Sequence, residues 1–345
     1  MSVLELKVDV WCVAAIADGA STNRKIFKLH KGLQDASYTG VIYYTVNLFA
    51  PQRKIYFFSD VPHLIKTSRN CLYSSGNRVG DVHTRCMRNN DKYLLWSFVA
   101  QAYYRDQEVA IQHLPKITLD HIKLSSFGKM KVNYAIQVFS KSMANALRYF
   151  NPNGEADELA KFIGMVNDFF DMANVRSIKE HVHKRNPNLK PYKDPDDQRL
   201  TWMKDVFLAY LDQWKITVTD RPGFSKEEKQ MMFISSQTYE GYHMTINSLV
   251  NIVQFLLNEG FLYVLTERFM QDVLEEYFGY QRARGRRSDN PTAQEFGYND
   301  ITINMQRTIK PKGNVHGRNQ GHWVEVSDEP LPKRPKSKKE SSCTQ

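Results

Sequence analysis

The chain has 345 residues, of which 42% are hydrophobic, enough to build one large domain or two moderate ones. Its formal net charge of +10 favours an anionic partner, with nucleic acid as the first candidate. No hydrophobic run reaches the length of a membrane-spanning helix, about 20 residues. The four cysteines lack Cys-x-x-Cys spacing, which argues against a zinc knuckle or a disulfide framework.

Roughly the first 100 residues have a pattern typical of an α/β fold. In chain order they predict a strand at 8–17, a helix capped by Ser21 or Thr22, a β-rich segment at 41–49 and a strand at 54–60. Asp18 and Asp60 each come at the end of a strand, ahead of a helix. Such an arrangement predicts a mostly parallel sheet, in which functional residues gather at the carboxyl ends of the strands. Alternatively, Asp18-Gly19 simply begins a turn.

From about residue 104 to Gly260 helical periodicity dominates, and no further strand is predicted. Ser225 and Glu228 have the spacing of a capping box in front of a long helix that is expected to end at Gly260. The last structured element, residues 266–285, is predicted to be a helix. Asp272 and Glu275 lie on one stripe of it, and an ordinary solvated face explains that spacing equally well.

Residues 331–340 are rich in Pro and Lys, which is typical of a disordered segment. Such a segment is either a nuclear-import signal, a phosphate-binding arm or simply a solubilising tail.

Five segments occur together in the order that is found in one family. They are ADGASTNRKIFKL, FFSDVPHLIKTSRN, LPKITLDHIKLSSFGKMKVNYAIQVFS, FFDMANVR and QDVLEEYFGYQRARGRRSDNPTAQEF. Over most of residues 5–300 the chain resembles P-element-type DNA transposases, including the THAP-domain relatives. The resemblance implies an α/β fold in which an RNase H-like catalytic domain of the DDE type is interrupted by an all-α GTP-binding insertion domain.

The resemblance also implies a division of the chain. Residues 1–104 and 261–305 would form the RNase H-like domain, with the insertion at 105–260 and a disordered basic tail at 306–345. The family's first strands and first catalytic Asp would precede Met1, so we expect an incomplete catalytic domain and no transposition by this polypeptide alone. A missing upstream segment, a mis-started gene and a domesticated remnant all fit this expectation.

Two carboxylates match the family's catalytic residues. Asp18 matches the second catalytic Asp and Glu275 the catalytic Glu, so both are expected to bind Mg²⁺ or Mn²⁺ for DNA cleavage and strand transfer. Carboxylates suit this chemistry because Mg²⁺ prefers hard oxygen ligands. Asp60 and His63 match a separate motif, and we expect them to hold a strand–helix junction by hydrogen bonds.

The chain has no Walker A motif, so a GTP site follows only from the resemblance. The residues that match the family's nucleotide contacts, or lie beside them, are Lys116, Lys131, Val132, Ser140, Phe170, Asp171, Asn174 and Asp272. Asp171 is expected to select guanine, because a carboxylate accepts from the N1–H and N2–H₂ donors that adenine lacks. Phe170 is expected to stack on the base. The alternative is that the lysines are solvated and Asp171 forms only local hydrogen bonds.

The expected partners are the DNA of transposon ends and GTP, in the nucleus, and a homo-oligomer remains open. Phosphate contacts are assigned to Arg282, Arg284, Arg286 and Arg287, with a solvated loop as the alternative. His181 and His183 are expected to be surface residues. Two other functions stay open: a domesticated, non-catalytic DNA- or protein-binding module, and a guanine-nucleotide-binding protein without a DNA role.

Overall fold

The computed structural model describes residues 2–8, 10–30, 40–76, 78–79, 82–83, 85–284 and 292–308. The chain divides into two compact units, unit 1 (Met1–Gln271) and unit 2 (Asp272–Gln345). The α-helices are α1 (Ser2–Lys7), α2 (Ser21–Leu29), α3 (Val61–Tyr73), α4 (Trp96–Glu108), α5 (Leu119–Ile122), α6 (Val132–Val138), α7 (Lys141–Phe150), α8 (Asp157–Ala173), α9 (Glu180–His183), α10 (Gln198–Trp202), α11 (Ala209–Thr219), α12 (Lys226–Met231), α13 (Ser236–Asn258), α14 (Asp272–Arg284) and α15 (Ala293–Thr308).

The strands are β1 (Ala14–Ala17), β2 (Tyr44–Val46), β3 (Lys54–Ser59), β4 (Arg78–Val79), β5 (Val82–His83), β6 (Arg88–Asn89) and β7 (Lys92–Tyr93). Short 3₁₀ segments lie at Gly128–Met130, Pro187–Leu189 and Thr266–Phe269, and a π-helical segment, Met203–Leu208, joins α10 to α11. The fold is therefore mixed α/β and mostly helical.

The main sheet has three strands in the order β1-β3-β2. β1 runs parallel to β3, with Ala14 opposite Tyr56, whereas β2 runs antiparallel to β3. The predicted mostly parallel sheet is therefore wrong for β2. Its short connection to β3 allows only an antiparallel pair, because a parallel crossover needs a dozen or more residues.

The predicted strand at 8–17 is also too long, since only Ala14–Ala17 forms β1. The preceding residues are held by α1 instead. The Glu5 carboxylate accepts from the backbone N–H of Cys12 at 2.7 Å and from Asn47 Nδ2 at 2.7 Å, and it pairs with Arg53. Glu5 thus connects α1 to the turn between β2 and β3.

α13 covers the sheet. Ser248 Oγ donates to the Phe57 carbonyl at 2.6 Å, and Thr245 Oγ1 donates to the Ser59 carbonyl at 2.7 Å. Two helix hydroxyls therefore bind backbone carbonyls of β3, which brings the helix very close to the strand. Gly241 permits this approach, because a Cβ there would lie 2.5 Å from Leu64 Cδ2.

Two predicted helix starts differ from the structure. The N-cap position of α2 is Ala20, which has no side-chain cap, and neither Ser21 nor Thr22 caps it because the helix has already begun at Ser21. The Ser225–Glu228 capping box is present, but it starts the short α12. The long helix, α13, starts later behind its own Ser235 cap.

The helices pack around a core rich in aromatic side chains. Phe162 and Phe169 of α8 are fully buried, and so is Trp214 of α11. The Trp214 indole N–H donates to the Arg88 carbonyl at 2.8 Å, so the largest core side chain is also satisfied as a donor. This hydrogen bond links β6 to α11 within the core.

Unit 2 contains two packed helices. Tyr277 of α14 donates to Asp300 Oδ1 of α15 at 2.7 Å, and Gln281 and Ile303 are buried. α14 begins at Asp272, later than the predicted helix at 266–285, because Thr266–Phe269 forms a 3₁₀ turn. Glu275 is exposed on α14.

Gly241→Ala should lower the free energy of unfolding by about 1–3 kcal/mol, because Leu64 and Ser59 leave no room for a methyl group. Gly164→Ala on α8 is the matched control, since nothing lies within 4 Å of its Cβ position. There the higher helix propensity of Ala should stabilise by up to about 1 kcal/mol. Urea unfolding of both variants measures the contrast, and equal effects would contradict the close packing of α13 on the sheet.

Candidate functional site

Asp18 directly follows β1 and is exposed. Its Oδ1 accepts from the backbone N–H of Ala20 at 3.1 Å and from Asn23 Nδ2 at 2.7 Å. The Ala20 hydrogen bond is the main cause that lowers the pKa of Asp18 below its usual value; Asn23 and the nearby cations act in the same direction, while desolvation opposes them. Asp18 is therefore an ionised carboxylate at neutral pH.

Gly19 is required by a close side chain. A Cβ at this position would lie only 2.6 Å from His63 Nε2. Arg24 Nη1 donates to the Gly19 carbonyl at 2.6 Å, which fixes the same turn from the other side. The Asp-Gly pair is thus both a turn and a surface against which an imidazole packs.

Asp60 holds the junction between β3 and α3. Oδ2 accepts from the His63 backbone N–H at 3.2 Å, and Oδ1 accepts from the Gln271 backbone N–H at 3.0 Å. The side chain is buried, and both oxygens are occupied, which fits the structural role expected for it. The His63 ring does not share that role: it makes no hydrogen bond to any residue that the structure describes, and sequence reasoning missed this.

A cavity of about 730 Å³ begins at Asp18 and extends to the first turns of α13. We call it the Asp18 cavity. Besides Asp18 its lining includes Gly19, Arg24, Phe27, Lys28, Ile42, His63, Leu64, Lys215, Tyr239, Glu240, His243 and Met244. No sequence pattern indicates this cavity, because its lining comes from segments that are far apart in the chain.

Whether the two expected metal ligands, Asp18 and Glu275, meet stays a prediction. Asp18 belongs to unit 1 and Glu275 to unit 2. Across residues 2–284 and 292–308, so far as they are described, no group of three or more His, Cys, Asp or Glu side chains is placed to hold a metal ion. The donor set present therefore does not fit a divalent metal by itself.

Several predicted nucleotide residues meet where α7 begins and α8 ends. Ser140 caps α7 and accepts from the Met143 N–H at 3.2 Å, so its hydroxyl proton remains a donor. Asp171 Oδ2 accepts from Asn186 Nδ2 at 2.8 Å and from Asn167 Nδ2 at 3.1 Å. Asn174 follows as the buried C-cap of α8.

Sequence reasoning missed further members of this cluster. Lys141 Nζ lies 3.0 Å from Asp168 Oδ1, which also accepts from Asn188 Nδ2 at 2.9 Å. The spacing Asp168-x-x-Asp171 was a readable signal, because positions i and i+3 share a helix face. Burial is the main cause that raises the pKa of Asp171, and the charge of Asp168 adds to it.

Lys131 and Val132 lie at the other end of α6, a helix of seven residues that is about 10 Å long. Lys131 Nζ donates to the Tyr134 hydroxyl at 3.2 Å and sits 5.0 Å from the centre of the Phe127 ring. Lys116 is exposed on the turn before α5, and Phe170 is half-buried on α8. Asp272 begins α14 in unit 2.

The turn before Lys131 is held by a residue that no motif indicated. Arg69 of α3 is fully buried, and its Nη2 donates to the carbonyls of Gly128 at 3.3 Å and Lys129 at 2.9 Å. Burial lowers the pKa of Arg69 to about 10. Arg69 therefore fixes the backbone that presents Lys131.

The remaining predictions divide between described and undescribed residues. Arg282 is exposed and Arg284 half-exposed on the last turn of α14, whereas Arg286, Arg287 and the tail beyond Thr308 lie outside the described residues. His183 is exposed, and His181 is only partly so. Over the part of the chain that the structure covers, no helix combines the length and apolar character needed to cross a membrane.

The unfolding free energy should fall on acidification because of His63. Burial is the main cause that lowers its pKa below 6.5, Lys66 and Arg24 act likewise, and Asp18 opposes them. As pH drops from about 7.5 to about 5.5, the His63 ring therefore takes up a proton more readily in the unfolded chain than in the folded one, which favours unfolding. Urea unfolding should show His63→Gln losing less stability than the wild type over that range. His183→Gln, at an exposed ring, is the control and should follow the wild type; identical curves for all three proteins would contradict the prediction.

Three comparisons with known proteins agree with this geometry. Residues 62–186 match the family model of the TNP-like, GTP-binding insertion domain. The chain is 29% identical over 250 residues to the Transposable element P transposase of Drosophila melanogaster. The aligned region covers 71% of this chain and 30% of that protein. It therefore spans less than a third of that relative. The matched range shares neither boundary with the predicted insertion at 105–260, and those boundaries stay predictions.

The fold gives the same relationship. The Drosophila P element transposase strand transfer complex matches with a TM-score of 0.64 and 26% sequence identity, over 86% of this chain and 61% of the solved one. The family match covers the cluster of Ser140 and Asp171, and the structural match covers most of the chain. The chain is a transposase-like protein related to the P-element-type transposases.

Proposed function

We propose that the chain acts in P-element-type DNA transposition, as a GTP-binding and DNA-binding part of the transposase. The observation that carries the proposal is that the match to a GTP-binding insertion domain, at residues 62–186, encloses the polar cluster around Ser140 and Asp171. The expected place of action is the nucleus, where the DNA lies.

The donor set fits guanine nucleotide. Both hydrogen bonds to Asp171 from the described residues fall on Oδ2, so Oδ1 is available to accept from the guanine N1–H and N2–H₂ groups. Ser140 retains a hydroxyl proton, and Phe170 offers a half-exposed ring. These groups would hold the base and sugar.

Cations would hold the phosphates. Lys131 stands on the turn that Arg69 fixes, and Lys116 is exposed before α5. Lys141 is already paired with Asp168 and adds positive charge beside Ser140. Asp272 also belongs to the proposed set and lies in unit 2. We propose that GTP is a bound cofactor of assembly on DNA.

Asp171→Asn should weaken GTP binding at least about tenfold and reduce the preference for GTP over ATP, because it removes a charged acceptor from the guanine donors. Titration with a fluorescent GTP analogue, with unlabelled GTP and ATP as competitors, measures both effects. Asp157→Asn makes the same change at the exposed, opposite end of α8 and should bind like the wild type. Wild-type protein that binds no GTP would refute the nucleotide role.

Asp18 and Glu275 are proposed as two carboxylates of a DDE-type site for Mg²⁺ or Mn²⁺. The state of Asp18 supports this, because it is an exposed carboxylate whose pKa is lowered mainly by the hydrogen bond from the Ala20 N–H. Glu275 is likewise exposed, on α14 of unit 2.

The metal site still lacks ligands within the described residues, so we derive no catalytic step through it. When bound, a pair of divalent metals would activate the attacking oxygen and stabilise the leaving oxygen. We propose that catalysis requires at least one further carboxylate, and that this polypeptide alone performs no strand transfer. Strand-transfer products formed by the polypeptide with Mg²⁺ or Mn²⁺ would contradict that.

DNA binding should weaken steeply with salt, because Lys and Arg displace counterions from phosphates. Arg282→Ala should reduce the slope of log K against log salt by about one unit. Arg148→Ala, at an exposed position on α7, is the control and should leave the slope unchanged. Fluorescence anisotropy with labelled duplexes gives the slopes. Absence of salt-dependent binding would favour a guanine-nucleotide-binding protein without a DNA role. DNA binding without strand transfer, even when a further Asp-bearing segment is supplied, would favour a domesticated module.

A further inference from the structure

Apolar side chains from four segments of unit 1 line the Asp18 cavity. Phe27 of α2, Ile42 ahead of β2, Leu64 of α3 and Met244 of α13 line it, and each is at most 9% exposed. The Phe27 ring stacks on Phe57 with centroids 4.4 Å apart, which fixes its orientation. A rigid apolar surface of this kind suits a flat, hydrophobic ring.

Charged side chains also line the cavity, with cations in excess. Arg24, Lys28 and Lys215 line it, against Asp18 and Glu240. Lys28 Nζ is 3.6 Å from Glu240, but 65% of its side chain is exposed, so the pairing is weak. Cations of this kind suit a phosphate.

Lys215 of α11 is held in place by Tyr239 of α13. Its Nζ lies 4.1 Å from the centre of the Tyr239 ring, and the Tyr239 hydroxyl donates to Asp212 at 2.5 Å. Asp212 also hydrogen-bonds His243 Nε2 at 2.8 Å. The cation therefore rests on an ordered aromatic group beside the cavity.

The lining also contains one polar ring that no described residue hydrogen-bonds. The His63 ring lines the cavity and packs on Gly19, and it forms no hydrogen bond to the described residues. Its ring nitrogens are therefore available to hydrogen-bond a ligand in the cavity.

We propose that the Asp18 cavity is a subsite for one unpaired nucleotide, whose base packs on the apolar side chains, hydrogen-bonds His63 and places its phosphate near Lys28 and Lys215. The volume of about 730 Å³ is ample for one nucleotide. The subsite rests on the proposed DNA role, because a DNA strand end beside Asp18 is the expected source of that nucleotide. A free nucleotide has the same chemistry and is the other source.

Fluorescence anisotropy with two labelled duplexes tests the subsite, one blunt and one with a single-nucleotide 3′ overhang. The wild-type full chain should bind the overhang about tenfold more tightly, because stacking of one base contributes that much. His63→Leu and Lys215→Ala should each abolish most of this preference. His63→Gln keeps a hydrogen-bonding side chain and should restore it, and Lys226→Ala, at an exposed lysine of α12, should not change it.

Thymidine monophosphate separates the two sources, since it lacks the guanine donors that Asp171 is proposed to recognise. If thymidine monophosphate competes with the overhang duplex, the cavity also accepts a free nucleotide. If it does not compete, the cavity is assigned to DNA strand ends. Equal binding of both duplexes, or a preference that survives His63→Leu, would overturn the subsite while leaving the DNA role intact. If neither duplex binds, the DNA role fails, and direct titration with thymidine monophosphate decides: binding that His63→Leu abolishes sustains the subsite, and no binding overturns it.

Discussion

The contact between α13 and β3 is the constraint on which the candidate site depends. Hydroxyls of Thr245 and Ser248 bind strand carbonyls, and Gly241 removes the side chain that would hold the two backbones apart. Because the helix lies so close to the sheet, its first turns reach the end of β1. They thereby enclose the Asp18 cavity, which neither the sheet nor the helix forms alone.

The same contact shows that the helical region is not uniform, because α13 packs on the sheet. α13 lies inside the segment expected to be an insertion, yet two of its hydroxyls donate to carbonyls of β3. The matched insertion domain ends at residue 186, well before α13. The buried Arg69 of α3 links α3 to the turn that precedes α6 through the Gly128 and Lys129 carbonyls.

Local features of the fold were readable from the sequence. Alternation and the Asp60-Val61-Pro62 sequence predicted β3 and the start of α3, and the Ser225–Glu228 spacing predicted the α12 cap. These signals depend on residues within a few positions of one another. The extent of β1 was not readable, because Glu5 takes the Cys12 N–H through a contact between segments.

The site was only partly predictable for the same reason. The resemblance indicated Ser140 and Asp171, and the structure brings them to one end of the α7–α8 pair. It could not indicate Asn186 and Asn188, which approach from a later loop, and it said nothing of the cavity. Whether Asp18 and Glu275 share a metal is still a prediction, since they belong to different compact units.

The approach of the imidazole to Gly19 also links two positions that are 44 residues apart in the chain. A methyl group at 19 would lie 2.6 Å from His63 Nε2, so the ring would have to shift to accommodate it. Relatives that carry a larger residue at the first position should therefore have a smaller or redirected side chain at the second. Substitutions at positions 19 and 63 would then occur together, and a change at one position would compensate for a change at the other.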